Sequence, residues 1–462
     1  MLRPVRRMLL AATAAVAVLA SGTAVAAAPA ETGYFNYTIP QRQPDGTTRQ
    51  VSIDQAQPVN PVPTTLAERL EWERTPKSED AVPARIPTNS GQRVTYDPVT
   101  VEECKAFTAS DQTPYAHKNH YGFCSNGSVE IGRMTCPFPS CLHSKSFGLT
   151  IIGHGDRNIE TGAVQRKASF TLNTRMGHTI GTQVPDNILV TVGLDCVALN
   201  GTTCNNPWGG GITKTLGEWR RDETETATLT IEGTPSEIPT DPNWDGKSYY
   251  NLRPFIRHNN PQFPPTERNL PWDAMRCDTS TKNYSRPYRD NGACIFTNIN
   301  ALFPISRAPG SPHKSVGDHL WQALNKPLET KPGVPNKVIP GKPGSGQPLT
   351  RLVDHTPELD ARITKNRTRA RENCVRFWGV DYAKPESPNS EYPKQKRDCD
   401  EYPMASTFEG AAHADYQPGS ILSFSSKPVP FGENRSAGNW LQQWYAEDHI
   451  IHGDYFYIRV LD

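Results

Sequence analysis

All ten cysteines of this 462-residue chain lie between Cys104 and Cys399, behind a leader of the export type. That combination constrains the fold most. Met1 to Met8 carries Arg3, Arg6 and Arg7, Leu9 to Leu19 is a short run rich in Ala, Val and Leu, and Ala24-Val25-Ala26 has the small-x-small pattern of a signal-peptidase site. A membrane anchor needs roughly 20 strongly apolar residues, and this Ala-rich run is shorter and followed by Pro29. The expectation is a secreted protein, residues 1–26 being removed. An even number of cysteines in an exported chain predicts disulfides. Neighbour spacing suggests Cys136/Cys141, Cys196/Cys204, Cys277/Cys294 and Cys374/Cys399, although sequence does not choose among the possible connectivities. No Cys-x2-Cys doublet supports a thiolate-bound metal.

The 42 Pro and 34 Gly describe a loop-rich chain and exclude a helical bundle. With 49 Lys+Arg against 48 Asp+Glu the net charge is +1, and removing the three leader arginines gives 46 against 48, or −2, which excludes a globally basic nucleic-acid coat.

Composition shifts divide the chain. Residues 27–98 are rich in Pro, Gln and Thr and read as an extended segment, with one short helix capped by Thr65 and Glu68. Residues 99–235 alternate as short strands, such as Ile188 to Val192 and Ala227/Leu229/Ile231, and predict an antiparallel β domain. Residues 236–325 read as a disulfide-containing loop and helix region, ending in a helix over Ser315 to Asn325 with Val316, Leu320 and Leu324 on one face. Residues 326–348 read as a Pro/Gly linker, a domain boundary at which proteolysis would release the last domain, residues 349–462. The fold class expected is α+β: a β-rich, disulfide-braced N-terminal region followed by a small C-terminal domain.

Chemistry concentrates in that last domain. A helix starting at Thr356-Pro357 places Arg362, Lys365 and Arg369 at i, i+3 and i+7, one face that can meet phosphates, although residues 351–462 total 14 basic against 17 acidic. Asp398, Asp400 and Glu401 crowd three carboxylates into four positions, which calls for a compensating cation such as Mg²⁺. Downstream, Asn439, Gln443 and Glu447 repeat at i, i+4 and i+8 on a helix. Histidines such as His117, His120 and His154 read as ordinary loop residues, with His413 a lesser candidate base.

Asp400-Glu401-Tyr402-Pro403-Met404-Ala405-Ser406, then Glu409-Gly410, Asn434-Arg435-Ser436-Ala437-Gly438 and Gly453-Asp454 together resemble the secreted bacterial NucA/NucB-type deoxyribonucleases over about residues 370 to 462. The resemblance implies a ββα-metal-like nuclease domain, a phosphodiester hydrolase that is a non-sequence-specific endonuclease on DNA and depends on Mg²⁺ or Mn²⁺. It places the general base on Asp400 beside Glu401, and a phosphate clamp on Arg435. It makes Glu409 a metal or structural carboxylate, counts Asn434 of the Asn-Arg element among the metal ligands and expects a helical metal ligand among Asn439, Gln443 and Glu447. Ala411 departs from the family pattern, which has a second Gly there. The alternatives are an exported binding or structural protein with an inactive nuclease-like domain, or a secreted nuclease toxin. The β domain is open to a cell-wall, sugar or protein ligand.

Overall fold

A computed structural model describes residues 32–43, 45–53, 62–75, 96–110, 115–135, 142–155, 166–232, 246–278, 292–354, 356–387, 391–418, 420 and 422–462. The leader and the Cys136/Cys141 pair lie outside these.

Two antiparallel sheets make the N-terminal body. One is eight-stranded and runs Thr48–Ser52, Thr32–Arg42, Gly122–Met134, Leu142–Gly155, Lys167–Ile180, Glu223–Glu232, Thr203–Asn205, with Tyr115–Asn119 added on Gly122–Met134. The other is six-stranded and centres on Ser248–His258, flanked by Leu189–Ala198 and Asp273–Cys277. Their facing sides share one core: Phe35, Phe147, Leu149 and Phe170 from the first meet Val190, Val192, Tyr250 and Met275 from the second.

The β unit is therefore wider than its alternating pattern indicated. Part of the Pro-rich segment 27–98 is paired strand, and within 236–325 Ser248–His258, Glu267–Asn269, Asp273–Cys277 and Cys294–Phe296 belong to the second sheet. Ser248–His258 is buried on both faces, so period-two alternation is absent from its sequence. The helix Leu66–Arg74 does begin with the Thr65/Glu68 capping box, and it inserts Arg69, fully buried, against Tyr250 O, Asn251 Oδ1 and Thr297 Oγ1. The bonds Cys104–Cys124, Cys196–Cys204, Cys277–Cys294 and Cys374–Cys399 are present, and no described cysteine is free. No described helix is long and apolar enough to cross a membrane.

The C-terminal unit is a second, smaller core. Its elements are labelled β1 (Ala301–Ser306), α1 (Lys314–Asn325), β2 (Leu349–Thr350), α2 (Pro357–Trp378), β3 (Arg397–Tyr402), β4 (Ser425–Pro430), α3 (Phe431–Glu447) and β5 (Tyr455–Leu461). Strand β5 pairs in parallel with β1, from Ala301↔Phe456 to Ser306↔Leu461, and antiparallel with β2. Phe303, Ile305, Val316, Leu320, Ala323 and Leu324 pack with Tyr402, Val429, Leu441, Trp444, Phe456 and Ile458. Seven of the eighteen buried residues of this core thus precede residue 326.

Residues 326–348 correct the linker expectation. They form a strap fixed to that core: Tyr402 Oη donates to Pro340 O at 2.7 Å, Ile458 N donates to Gly341 O at 2.8 Å, and Ile339 and Lys337 are buried. Gly341 has φ +100°, and a Cβ there would lie 2.2 Å from Tyr402 Oη, so only glycine permits this approach. Pro and Gly shape a tight path here rather than supplying flexibility.

The loop between α3 and β5 docks this unit on the N-terminal body. Arg276 Nη1 lies 2.5 Å from Asp454 Oδ1, Lys247 Nζ reaches the same oxygen at 3.5 Å and donates to His452 O, and His449 Nε2 meets Asp278 Oδ2 at 2.7 Å. Burial works against the charge on Asp454, yet Arg276 and Lys247 hold its carboxyl below the usual range. Gly453-Asp454 is therefore a docking element.

Candidate active site

Strands β3 and β4 form a hairpin-like pair, in register from Arg397↔Pro430 to Tyr402↔Ser425, and α3 starts directly after β4. Between β3 and β4 the chain makes one short helical turn, His413–Tyr416. Because neighbours on a strand point to opposite faces, Asp400 and Glu401 diverge although adjacent. Asp400 turns toward α1, where its Oδ2 lies 2.6 Å from His319 Nδ1, and Ser425 Oγ on β4 lies 2.7 Å from His319 Nε2. Glu401 turns toward α2. The Cys374–Cys399 bond ties α2 to the strand beside these two carboxylates, with Cys374 fully buried.

Both carboxylates border one cavity of about 380 Å³. Arg367 from α2, Asn434, Gly438 and Gln442 from α3, and Asp354 and Asp360 at the start of α2 also line it. Glu401 is half-buried; loss of water and the neighbouring Asp400 charge push its carboxyl up to about 7, against the pull of the Arg367 and Arg371 guanidiniums and the Ala405 N–H. Four acidic residues and the two arginines Arg351 and Arg367 line this space, and the Arg351 guanidinium stacks 3.7 Å above the Tyr445 ring. The cavity is net acidic with a basic wall.

Asn366 shapes the loop that comes after Glu401. Fully buried, its Nδ2 donates to Ala405 O at 2.9 Å and Thr407 O at 3.2 Å, while its Oδ1 accepts from Ala412 N at 2.9 Å. A Cβ on Gly410 would fall 2.3 Å from Asn366 Nδ2, which explains the glycine after Glu409; Ala411, two residues short of His413, is buried without conflict.

The sequence-derived site residues do not all converge. Asp400, Glu401 and Asn434 do, at the cavity. Glu409 lies elsewhere: its carboxylate accepts from Thr350 N and Oγ1, both at 2.8 Å, and burial raises its pKa. Arg435 is exposed, stacked on Phe431 at 4.0 Å and 3.8 Å from Asp398 Oδ2, so it does not line the cavity. Asn439 and Gln443 do not line it either; Gln443 Nε2 donates to Glu447 Oε1 at 2.7 Å. Helix α3 starts at Phe431, and the row facing the cavity is Asn434, Gly438 and Gln442, one residue out of step with the expected row.

Arg362, Lys365 and Arg369 share a face, but it turns away from the cavity. Arg369 and Lys365 pair with Asp415 at 2.7 and 3.2 Å, and Arg362 donates to Phe408 O at 2.6 Å and stacks on Tyr416. Burial lowers the Arg362 pKa, and the Arg369 hydrogen bond holds Asp415 below its usual range. His413 Nδ1 is occupied by Phe408 O at 3.0 Å. Sequence reasoning missed His319, Arg367 and Gln442. The signal for His319 was present: it is a polar side chain beside Leu320, on the apolar stripe of its helix.

Residues 353–459 match the family model "Deoxyribonuclease NucA/NucB". No curated protein and no solved structure matches the chain. The match spans α2, the β3–β4 pair, α3 and most of β5, and so contains every cavity-lining residue named above except Arg351. The C-terminal unit thus contains a segment similar to the deoxyribonucleases of that family, while β1, α1 and the strap, which complete its core, lie before the matched segment.

Proposed function

We propose that this chain is a secreted, non-sequence-specific endodeoxyribonuclease that hydrolyses phosphodiester bonds at the cavity between β3, α2 and α3, using Mg²⁺ or Mn²⁺. The observation that carries this is the placement of Asp400. One of its oxygens is fixed by His319 while the carboxylate borders a cavity shared with Glu401, Asn434 and Arg367.

Hydrolysis needs a water that loses its proton in line with the breaking P–O bond, and stabilisation of charge on the phosphate oxygens. Asp400 takes the proton as the water oxygen bonds to phosphorus and the P–O bond to the departing strand breaks. Arg367, with Arg371 behind it, attracts the phosphate and steadies its charge. With contacts to phosphate rather than base edges, such a site reads no sequence.

A closed metal cage does not fit, since no three His, Cys, Asp or Glu side chains among the described residues converge on one point. A hard cation held by one or two protein oxygens plus water and substrate phosphate fits the oxygen donors present. Glu401, whose carboxyl is pushed up by burial and the Asp400 charge, and the amide oxygens of Asn434 and Gln442 would hold it. Bound there, the ion would supply positive charge for the phosphate and leaving oxygens.

Digestion of plasmid and linear duplex by residues 27–462 tests the proposal, with Mg²⁺, Mn²⁺ or EDTA and with Asp400→Ala. Metal-dependent cutting that disappears in the variant supports it. Absence of cutting leaves an exported protein with an inactive nuclease domain.

A further inference from the structure

Helix α1 lies outside the matched segment, yet it supplies the one imidazole in contact with Asp400 among the described residues. We propose that His319 is a positioning residue for the Asp400 base, completing a relay Ser425–His319–Asp400. This deepens the nuclease reading and rests on it. His319 is 1% exposed and is absent from the cavity lining, so it does not touch a substrate there; Asp400, at 10% exposure, stands between it and the cavity. Its action must pass through the carboxylate.

The geometry fixes what each atom does. Ser425 Oγ is 2.7 Å from Nε2, and an O–H donated to that nitrogen leaves the ring proton on Nδ1. Nδ1–H then donates to Asp400 Oδ2 at 2.6 Å. One carboxylate oxygen is held, the rotation of the carboxylate is stopped, and Oδ1 is the oxygen left to accept the water proton. A base must lie within hydrogen-bond reach of the proton it removes, and a carboxylate free to turn spends much of its time out of line.

The framework around the relay is rigid. Ser425 sits opposite Tyr402 in the β3–β4 register, and the adjacent Ser426 receives a hydrogen bond from Asn373 of α2. Helix α1 is anchored at its start, where Ser315 N donates to Glu433 Oε2 of α3 at 2.6 Å, and along its length by Val316 and Leu320 in the shared core. The two helices and the strand pair therefore hold the imidazole at a fixed distance from the base. A protein cut within residues 326–348 retains this arrangement only while α1 stays bound, so a fragment starting at residue 349 carries Asp400 without its positioning residue.

The test uses the full mature chain with a linear duplex and saturating Mg²⁺, comparing wild type, His319→Ala, His319→Asn, Ser425→Ala and Asp400→Asn. The readouts are kcat, KM, duplex Kd in EDTA and the thermal unfolding midpoint. His319→Ala is expected to lower kcat about 10- to 100-fold, the range for a group that orients a reacting one, with KM and Kd within about twofold of wild type. Asparagine presents its Nδ2–H near the place of Nδ1–H, so His319→Asn should recover most of that loss, and Ser425→Ala should fall between His319→Asn and His319→Ala. A KM change without a kcat change, or His319→Asn no better than His319→Ala while its midpoint is native, would overturn the proposal. If His319→Ala does not fold, His319→Asn and Ser425→Ala decide: wild-type kcat in Ser425→Ala together with Asp400→Asn-like kcat in His319→Asn also overturns it. Wild type without any cutting overturns the nuclease reading itself, whereas active wild type with indifferent His319 variants overturns the relay alone.

Discussion

Helix α2 carries basic side chains on two faces, and the structure treats them oppositely. Arg362, Lys365 and Arg369 fall on a face closed by Asp415, Phe408 and Tyr416, so their charge is spent within the protein. Arg367 and Arg371 fall on the face turned to Glu401, where Arg367 borders the cavity. Helical spacing says which residues share a face, but the partner across from that face decides whether its charge is available to a phosphate.

The sharpest way to break this comparison is to remove the base on the cavity side. Asp400→Ala should lower kcat by about 10³-fold, within the usual range for a general base, whereas Glu409→Gln, on the Thr350 side, should leave kcat within about threefold. Steady-state kinetics on a duplex oligonucleotide check both; equal losses would place Glu409 in the chemistry.

Next in size is the covalent tie between α2 and β3. The Cys374–Cys399 bond closes a separation of 25 residues, for which chain entropy gives roughly 3 kcal/mol of stability. Cys374→Ala/Cys399→Ala should therefore lower the nuclease unit's unfolding midpoint in denaturant, and activity should be lost at a correspondingly lower temperature. An unchanged midpoint would mean the bond adds nothing to holding the two faces in place.

Glu401 sharpens the cavity side through pH. Its folded pKa of about 7 lies above the ordinary 4.5, so the folded state binds the proton more tightly. That contribution is fully present below about 4.5 and is lost as pH rises through about 7. In EDTA, the wild type should lose on the order of 2 kcal/mol of stability across this window, after discounting for partial exposure, and Glu401→Gln should lose less. Parallel slopes for the two proteins would remove Glu401 as an uncompensated charge.

The smallest effect is expected at Arg435. Exposed beside Asp398, Arg435→Ala should change kcat/KM by less than about threefold, as exposed pairs contribute little. A tenfold loss would return it to the phosphate clamp.

Several features were legible in the sequence. The acidic run at Asp398 to Glu401, the helix beginning at Thr356-Pro357, the Thr65/Glu68 cap and three of the neighbour disulfides depend on local residues and spacing, and each is present. What escaped was non-local. Ser248–His258 is buried on both sides and carries no alternation, so its sheet was hidden. The strap at 326–348 has linker composition, and its contacts with Tyr402 and Ile458 come from 60 or more residues away in the chain, beyond any local pattern. In α3, the packing of Leu441, Trp444 and Tyr445 into the core turns Asn434, Gly438 and Gln442 to the cavity rather than Asn439 and Gln443, and that packing is not written in the helix's own spacing. His319 reaches Asp400 across 81 positions, which no motif spans.

The most direct test sets the two faces of α2 against each other in one assay: kcat/KM on linear duplex, as a function of salt, for Arg367→Ala/Arg371→Ala and for Lys365→Ala/Arg369→Ala. A loss of about 10-fold or more is expected for the first pair, with a salt dependence shallower by up to about two phosphate contacts, and a change within about twofold for the second. The reverse ranking would place DNA on the Asp415 side and contradict a site at the Asp400–Glu401 cavity.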